Sequence, residues 1–254
     1  MAPKGICLKL IQLNIWQGKL LKEVINFLEE QNADIVCLQE VFHSQPIGIF
    51  DIIDSLDKIQ ATLKYEHVYF EPTFSFDVSG TTVQFGNATL SKLPFNHKKV
   101  VFTNNDFHHV TNWADHPPNT RNALLIQVQI DEKPLTIINH HGYHEFDPLG
   151  SDASVAAMQK LVEELRVIDH PIIFAGDLNV VPASPVMRLF DNWLEDLTAT
   201  NEVKDTLTQF GKVRDIPCDH VLITNDVKVN SFEVSEALVS DHKPLILEFE
   251  LIQG

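Results

Sequence analysis

Basic residues are scarce in this chain. Its 254 residues include 19 Lys and Arg against 35 Asp and Glu, a formal net charge of −16, and Lys98-Lys99 is the longest basic run. A field of that sign repels polyanions, so it disfavours nucleic acid held by the whole surface, although a local cationic cleft stays possible. Long apolar runs are missing too. No stretch approaches the ~20 residues of a membrane span. The N-terminal MAPKGICLKL has no apolar segment and cleavage site of a signal peptide, so a cytoplasmic protein without a membrane span is expected. Cysteine is limited to Cys7, Cys37 and Cys218, an odd number, with the first two inside apolar runs; these read as buried reduced thiols of an intracellular protein. No Gly/Ser run, low-complexity tract or repeat marks a linker, which leaves one domain over residues 1–254 as the expectation.

What is present is ordinary globular composition, 44% hydrophobic and 21% charged, patterned as many strands with a few helices. Residues 6–15 are apolar on both faces apart from Lys9, Gln12 and Asn14 and predict a central strand ending at Asn14. Leu21, Val24, Ile25 and Leu28 give the spacing of an amphipathic helix. Asp34 to Leu38 predicts a second buried strand ending at Gln39-Glu40, and residues 44–63 a second helix on Ile49, Ile52, Ile53, Leu56 and Ile59. Five strands are expected in a mostly antiparallel region: 65–70, 81–90, 98–102, 123–130 and 134–139. Residues 104–119, polar and rich in His and Pro, read as a long surface loop carrying Trp113. A helix over 152–168 precedes the strand Ile172 to Phe174, which opens into Gly176-Asp177-Leu178-Asn179. Ser184-Pro185 suits the start of a short helix. Residues 219–224 predict a strand turning near Asn225-Asp226 into a partner at 228–234, and 245–251 form the last strand. This pattern points to a layered α/β sandwich.

Polar residues punctuate the strand ends. Asn14, Glu40, His141, Asp177 and Asn179 lie at ends, while Asp219, Asp241 and His242 lie at starts, so antiparallel later strands would gather all of them at one edge. Asp177 and Asn179, two apart, would share a face in extended backbone. Carboxylates collected there repel one another unless a divalent cation balances them, and oxygen ligands select Mg2+ or Mn2+. The two histidines then suit phosphate better than metal.

The ordered set LNIWQG, LQEVF, GNATLSKLPF, RNALL, INHHG, GDLN, CDHVL and SDH resembles the endonuclease/exonuclease/phosphatase superfamily from Leu10 to Leu251. The resemblance implies a four-layered α/β/β/α sandwich of the deoxyribonuclease-like fold, two mixed β-sheets face to face with helices outside. It implies a metal-dependent phosphoric ester hydrolase using Mg2+ (or Mn2+) and in-line attack of water on phosphorus. Glu40 would be the principal metal ligand, with Asn14 beside it and Asp241 completing the metal and water environment. Asp177 would activate water, Asn179 would hold a phosphate oxygen, and His242, polarised by Asp219, would face the scissile phosphate. His141 falls in register with the family's histidine, ahead of His140. Many DNA-repair members carry an acidic residue where Trp16 stands, a departure that points to a small, lipid-derived or otherwise non-duplex phosphoester; a nuclease or DNA-repair phosphodiesterase is the alternative.

Other readings stay open for several residues. His140, His141 and His144 have the i, i+1, i+4 spacing of a helical zinc site, but Gly142 between them argues against a helix. Trp16 and Trp113 fit either the core or a substrate rim, and Arg121 either a surface ion pair or support for a phosphate site. Tyr143 and His144 read as loop residues near the mouth.

Overall fold

The structure, a computed structural model, describes residues 5–45, 54–211 and 215–252. In chain order its elements are β1 (Leu8–Asn14), α1 (Leu21–Gln31), β2 (Ile35–Gln45), α2 (Ser55–Leu63), β3 (His67–Val78), β4 (Thr81–Ser91), β5 (His97–Asn104) and β6 (His108–Val110). There follow β7 (Arg121–Ile130), β8 (Lys133–His141), α3 (Asp152–Leu165), β9 (Ile172–Asp177), β10 (Glu195–Asp196), α4 (Leu197–Thr200), β11 (Asp219–Ile223), β12 (Val227–Val234) and β13 (Leu245–Leu251). One mixed sheet has the order β12-β13-β1-β2-β4-β3-β6 and the other β10-β11-β9-β8-β7-β5.

Alternation along the strands builds four layers. In β1, Leu8 and Leu10 point inward with Ile35 and Cys37 of β2, meeting Leu135, Ile137, Ile173 and Val221 of the facing sheet. Ile11 and Leu13 point the other way, onto Val24 and Leu28 of α1 and Leu56 and Ile59 of α2. On the far side, Ile138, Phe174 and Leu222 pack under Met158, Leu161 and Leu165 of α3. Each fully buried aliphatic side chain contributes ~1.5–3 kcal/mol. Ser151 opens α3 by accepting from Ala153 N, and Ser154 Oγ accepts from Ser151 N, a reciprocal cap that fixes where the helix begins.

Several expectations are corrected. The second strand does not stop at Glu40: its pairing with β4 shifts between Leu38 and Val41, Glu40 takes φ +59°, and the strand continues to Gln45. The bulge therefore turns the Glu40 side chain without ending the sheet. Gln45 belongs to that strand, so the second helix is confined to α2, and Ile49, Ile52 and Ile53 lie outside the described residues. Residues 104–119 are not all loop. β6 pairs with β3 in parallel, and Trp113 packs edge-on against Phe74, Phe76 and Phe85. β11 and β12 do not form a hairpin; β11 pairs with β9 and β10, whereas β12 crosses to pair with β13. Ser184 precedes a 3-10 turn at Met187–Phe190. Cys37 and Cys218 are buried, but Cys7 is exposed because it precedes the first paired residue of β1. Among the described residues, no helix is long and apolar enough to cross a membrane.

Candidate active site

The alternation that makes the core also makes the site. Inward positions are apolar along most of each strand and become polar at one end of the sandwich: Gln12 and Asn14 on β1, Asn139 and His141 on β8, Asp177 on β9, Asp219 on β11. Register aligns the last three, since His141 pairs with Asp177 and Asp177 with Asp219. From the facing sheet, Asn14 Nδ2 donates to Asp177 Oδ2 at 3.0 Å and Gln12 Nε2 to Asp219 Oδ1 at 3.0 Å. Beneath them Gln39 Nε2 donates to Asn139 Oδ1 at 2.7 Å, and Asn139 Nδ2 to the Ala88 carbonyl at 2.9 Å. Cutting such a buried bond on one side only costs ~1–3 kcal/mol, so this amide layer fixes the separation of the sheets under the site.

The segment before β13 closes the site. Ser240 Oγ donates to the Asn14 carbonyl at 2.7 Å, which brings His242 onto the row. His242 Nδ1 donates to Asp219 Oδ2 at 2.9 Å, and its Nε2 lies 3.6 Å from Asp177 Oδ2. Burial alone would lower the His242 pKa; the Asp219 and Asp177 carboxylates outweigh it and hold the imidazole well above its ordinary value. His141 Nε2 lies 3.5 Å from Asp177 Oδ2, yet burial, with Arg121 and His242 nearby, holds it well below its ordinary value and neutral.

The carboxyl groups of Glu40, Asp177 and Asp241 are all raised, each chiefly by burial. Glu40 Oε2 is buried without a hydrogen-bond partner. An orphaned carboxylate oxygen among raised acids is the environment a hard divalent cation relieves, so the residues present fit such an ion. Ligand atoms of Asp177, Cys218, Asp219 and His242 also lie within 4.8 Å of one another. Burial, with Asp219 and Asp177 alongside, pushes the Cys218 thiol up to about 12, so it stays protonated, and His242 Nδ1 is engaged by Asp219. The oxygen donors of that group are Asp177 and Asp219; Glu40, in electrostatic reach of His242 and Asp177, and Asp241, in reach of His242 and Glu40, are further candidates to hold the ion, with the amide of Asn14, whose Oδ1 also accepts from Trp16 N.

Asn179 does not share an extended face with Asp177. β9 ends at Asp177, Asn179 takes φ +57°, and its N–H donates to Asp177 Oδ1 at 3.0 Å. Its Nδ2 reaches the Gly142 carbonyl at 3.3 Å and its Oδ1 pairs with His144 Nδ1 at 3.0 Å. Gly142 permits this turn: a Cβ there would sit 2.3 Å from the Leu178 carbonyl oxygen. The histidine trio is dispersed. His140 faces outward, with Nδ1 2.9 Å from the Asn122 carbonyl and its pKa lowered to about 4 by burial, so it lines no zinc site with His141. Arg121 supports the mouth: its Nε donates to the Gly142 carbonyl at 2.6 Å, and Glu40 and Asp177 oppose the burial that lowers its pKa. Gln12, Gln39, Asn139 and Ser240 were not foreseen. For the first three the one signal is an amide within or at the end of an apolar strand; Ser240, a hydroxyl before the last strand, has none.

His220 is a further buried member. Its Nδ1 pairs with Asp196 Oδ2 at 2.9 Å, and its Nε2 donates at 2.8 Å to the carbonyl of Val180, the residue after Asn179. Burial would lower this imidazole, but Asp196 and the two hydrogen bonds raise it. A folded pKa above the unfolded value, ~6.5, means stabilisation that is complete below that pH and lost as pH rises through the folded pKa. His220→Asn is therefore expected to cost ~3 kcal/mol at pH 6 and progressively less at higher pH. Urea unfolding of both proteins from pH 6 to 9 checks this, and a pH-independent gap would refute it.

The chain belongs to the Endonuclease/Exonuclease/phosphatase family, which it matches over residues 11–242. It is therefore a metal-dependent phosphoester hydrolase of the four-layered α/β/β/α fold. A family structure from Beutenbergia cavernae is 21% identical, with TM-score 0.72, over 97% of this chain and 72% of that one. A mannosyl-6-phosphatase of Bacteroides thetaiotaomicron is 14% identical, with TM-score 0.72, over 95% and 99%. D. rerio TDP2, complexed with a single-strand DNA product, is 14% identical, with TM-score 0.71, over 96% and 99%. No curated protein matches the chain.

Proposed function

We propose that the protein hydrolyses a small, lipid-derived or otherwise non-duplex phosphoester with Mg2+, Mn2+ being a competent substitute. The observation that carries this reading is the row His141, Asp177, Asp219 with His242 set against it and the unpartnered Oε2 of Glu40 in electrostatic reach of it. Glu40 and Asp241, with Asn14, would hold the cation, which when bound neutralises charge on the phosphoryl oxygens. Asp177 takes the proton of the attacking water; Asn14 Nδ2 and the Asn179 N–H fix its two oxygens in place. His242, kept charged by Asp219, donates from Nε2 to a phosphoryl oxygen, and His141 does so from Nε2 as a neutral donor. Asn179 keeps its second amide N–H for another oxygen. Water adds in line and the bond from phosphorus to the leaving oxygen breaks.

Charge supports the choice of substrate. Segments 105–120, which includes β6, and 142–151, which follow β5 and β8 at the mouth, contain no Lys or Arg, and Arg121, just beyond the first, is engaged by the Gly142 carbonyl with Glu40 and Asp177 nearby. A duplex needs several phosphates neutralised, each adding to the salt dependence of affinity. Compared at physiological salt and saturating Mg2+, kcat/KM on a panel of small phosphoesters is expected to exceed that on plasmid DNA and on an abasic-site duplex. A DNA substrate preferred by more than about tenfold, ~1.4 kcal/mol of transition-state stabilisation, would give the nuclease reading its place.

A further inference from the structure

Among the described residues, the exposed aromatics Phe107, Trp113, Phe146 and Phe210 all sit on loops at the polar end of the sandwich. The opposite end exposes Ile6, Val167 and Ile252, all aliphatic. Phe146 is fully exposed, and Leu149 is exposed on the same loop. Single exposed apolar residues are ordinary. Here, though, Phe107, Trp113, Phe146 and Leu149 lie on two connections joined into one rim, since Asn119 Nδ2 donates to the His144 carbonyl at 2.9 Å and His144 N to Asn119 Oδ1 at 2.8 Å; Phe210 lies on a third, before β11. The exposed fixed charges of this rim are acidic: Asp106 precedes Phe107, Asp115 lies two residues after Trp113, and Asp147 follows Phe146.

We infer that loops 105–120 and 142–151 dock the mouth of the site on a lipid surface whose outermost charge is the quaternary ammonium of a choline headgroup. Aromatic rings settle at the membrane interface, their faces attract quaternary ammonium, and the adjoining carboxylates complement it. The same carboxylates repel anionic lipid and nucleic acid phosphates. The inference deepens the hydrolase reading above and rests on it only for what is cleaved.

The full chain is incubated with phosphatidylcholine vesicles, with vesicles also containing phosphatidylserine, and with a single-stranded oligonucleotide, and sedimented or titrated. Hydrolysis of a soluble phosphoester is measured on the same preparations. Binding to phosphatidylcholine is expected, weaker when phosphatidylserine is added, and about tenfold weaker in the Phe107→Ser/Phe146→Ser double variant, with soluble hydrolysis unchanged. Absent binding, unchanged binding by the variant, a preference for phosphatidylserine, or tighter binding to the oligonucleotide would each overturn the inference. Loss of soluble hydrolysis by the wild type would instead count against the hydrolase reading and leave the vesicle result to stand separately.

Discussion

Glu40→Gln is expected to reduce kcat/KM by about 10³-fold, ~4 kcal/mol of transition-state stabilisation, and to raise the Mg2+ concentration for half-activity at least about tenfold, ~1.4 kcal/mol of binding. The change keeps the shape of the side chain and removes its charge. Its Oε2 is buried without a partner, and burial is the main cause raising the pKa of the carboxyl. In the absence of metal, then, the charge is a liability, and the glutamine should leave the metal-free protein at least as stable as wild type. With metal the order reverses, because a ligand that binds only the folded state stabilises it by mass action. Thermal unfolding in EDTA and in Mg2+ separates these effects: the Mg2+-induced rise in Tm should be large in wild type and small in the variant. Full activity of wild type in excess EDTA, or an undiminished rise in Tm for Glu40→Gln, would remove Glu40 from the metal site.

The residues of this site were more legible than the geometry that assembles them. Glu40 stands out in sequence because a glutamate closing an apolar strand has no structural reason to be there. The left-handed bulge that aims it has no sequence signature, since φ +59° at a glutamate is not a local preference. Asp177 and Asn179 stand out in the sequence as polar residues at the end of a buried strand, of which Asp177 is the last residue. A shared extended face does not form, because the strand ends at Asp177, two residues short of Asn179, which turns to φ +57°. Strands with a clean pattern, such as Leu245–Leu251, fell where apolar periodicity put them. The β11 to β12 connection shows the limit: Asn225-Asp226 is good turn chemistry, but which sheet each strand joins depends on partners far along the chain, Ile173 for one and Leu251 for the other. The Gln12, Gln39, Asn139 layer is of the same kind, since its hydrogen bonds span 27 and 100 residues.

Asp219→Asn and His242→Ala are each expected to lower kcat/KM by about 10³-fold, and the double variant by little more than either. The geometry makes the two a unit. Asp219 Oδ2 accepts from His242 Nδ1 at 2.9 Å, both side chains are buried, and Asp219 is the first of the carboxylates that keep the imidazole charged against burial. Asparagine in place of Asp219 removes that charge, and the imidazole then loses its proton at the pH where the wild type works; an uncharged Nε2 is a weaker donor to a phosphoryl oxygen. The losses should therefore share one cause. They should also differ in pH profile, since Asp219→Asn recovers activity toward acid pH as His242 regains its proton, whereas His242→Ala has nothing to protonate. The sign follows from the direction of the shift: a pKa held high by a carboxylate falls when the carboxylate is neutralised, so the charged form returns only at lower pH. Mg2+ affinity, followed by the rise in Tm, should stay near wild type in His242→Ala, because the imidazole is a hydrogen-bond donor in this scheme and no ligand. Strictly additive losses in log kcat/KM would refute the coupling, and a His242→Ala protein that no longer responds to Mg2+ would move His242 into the metal site.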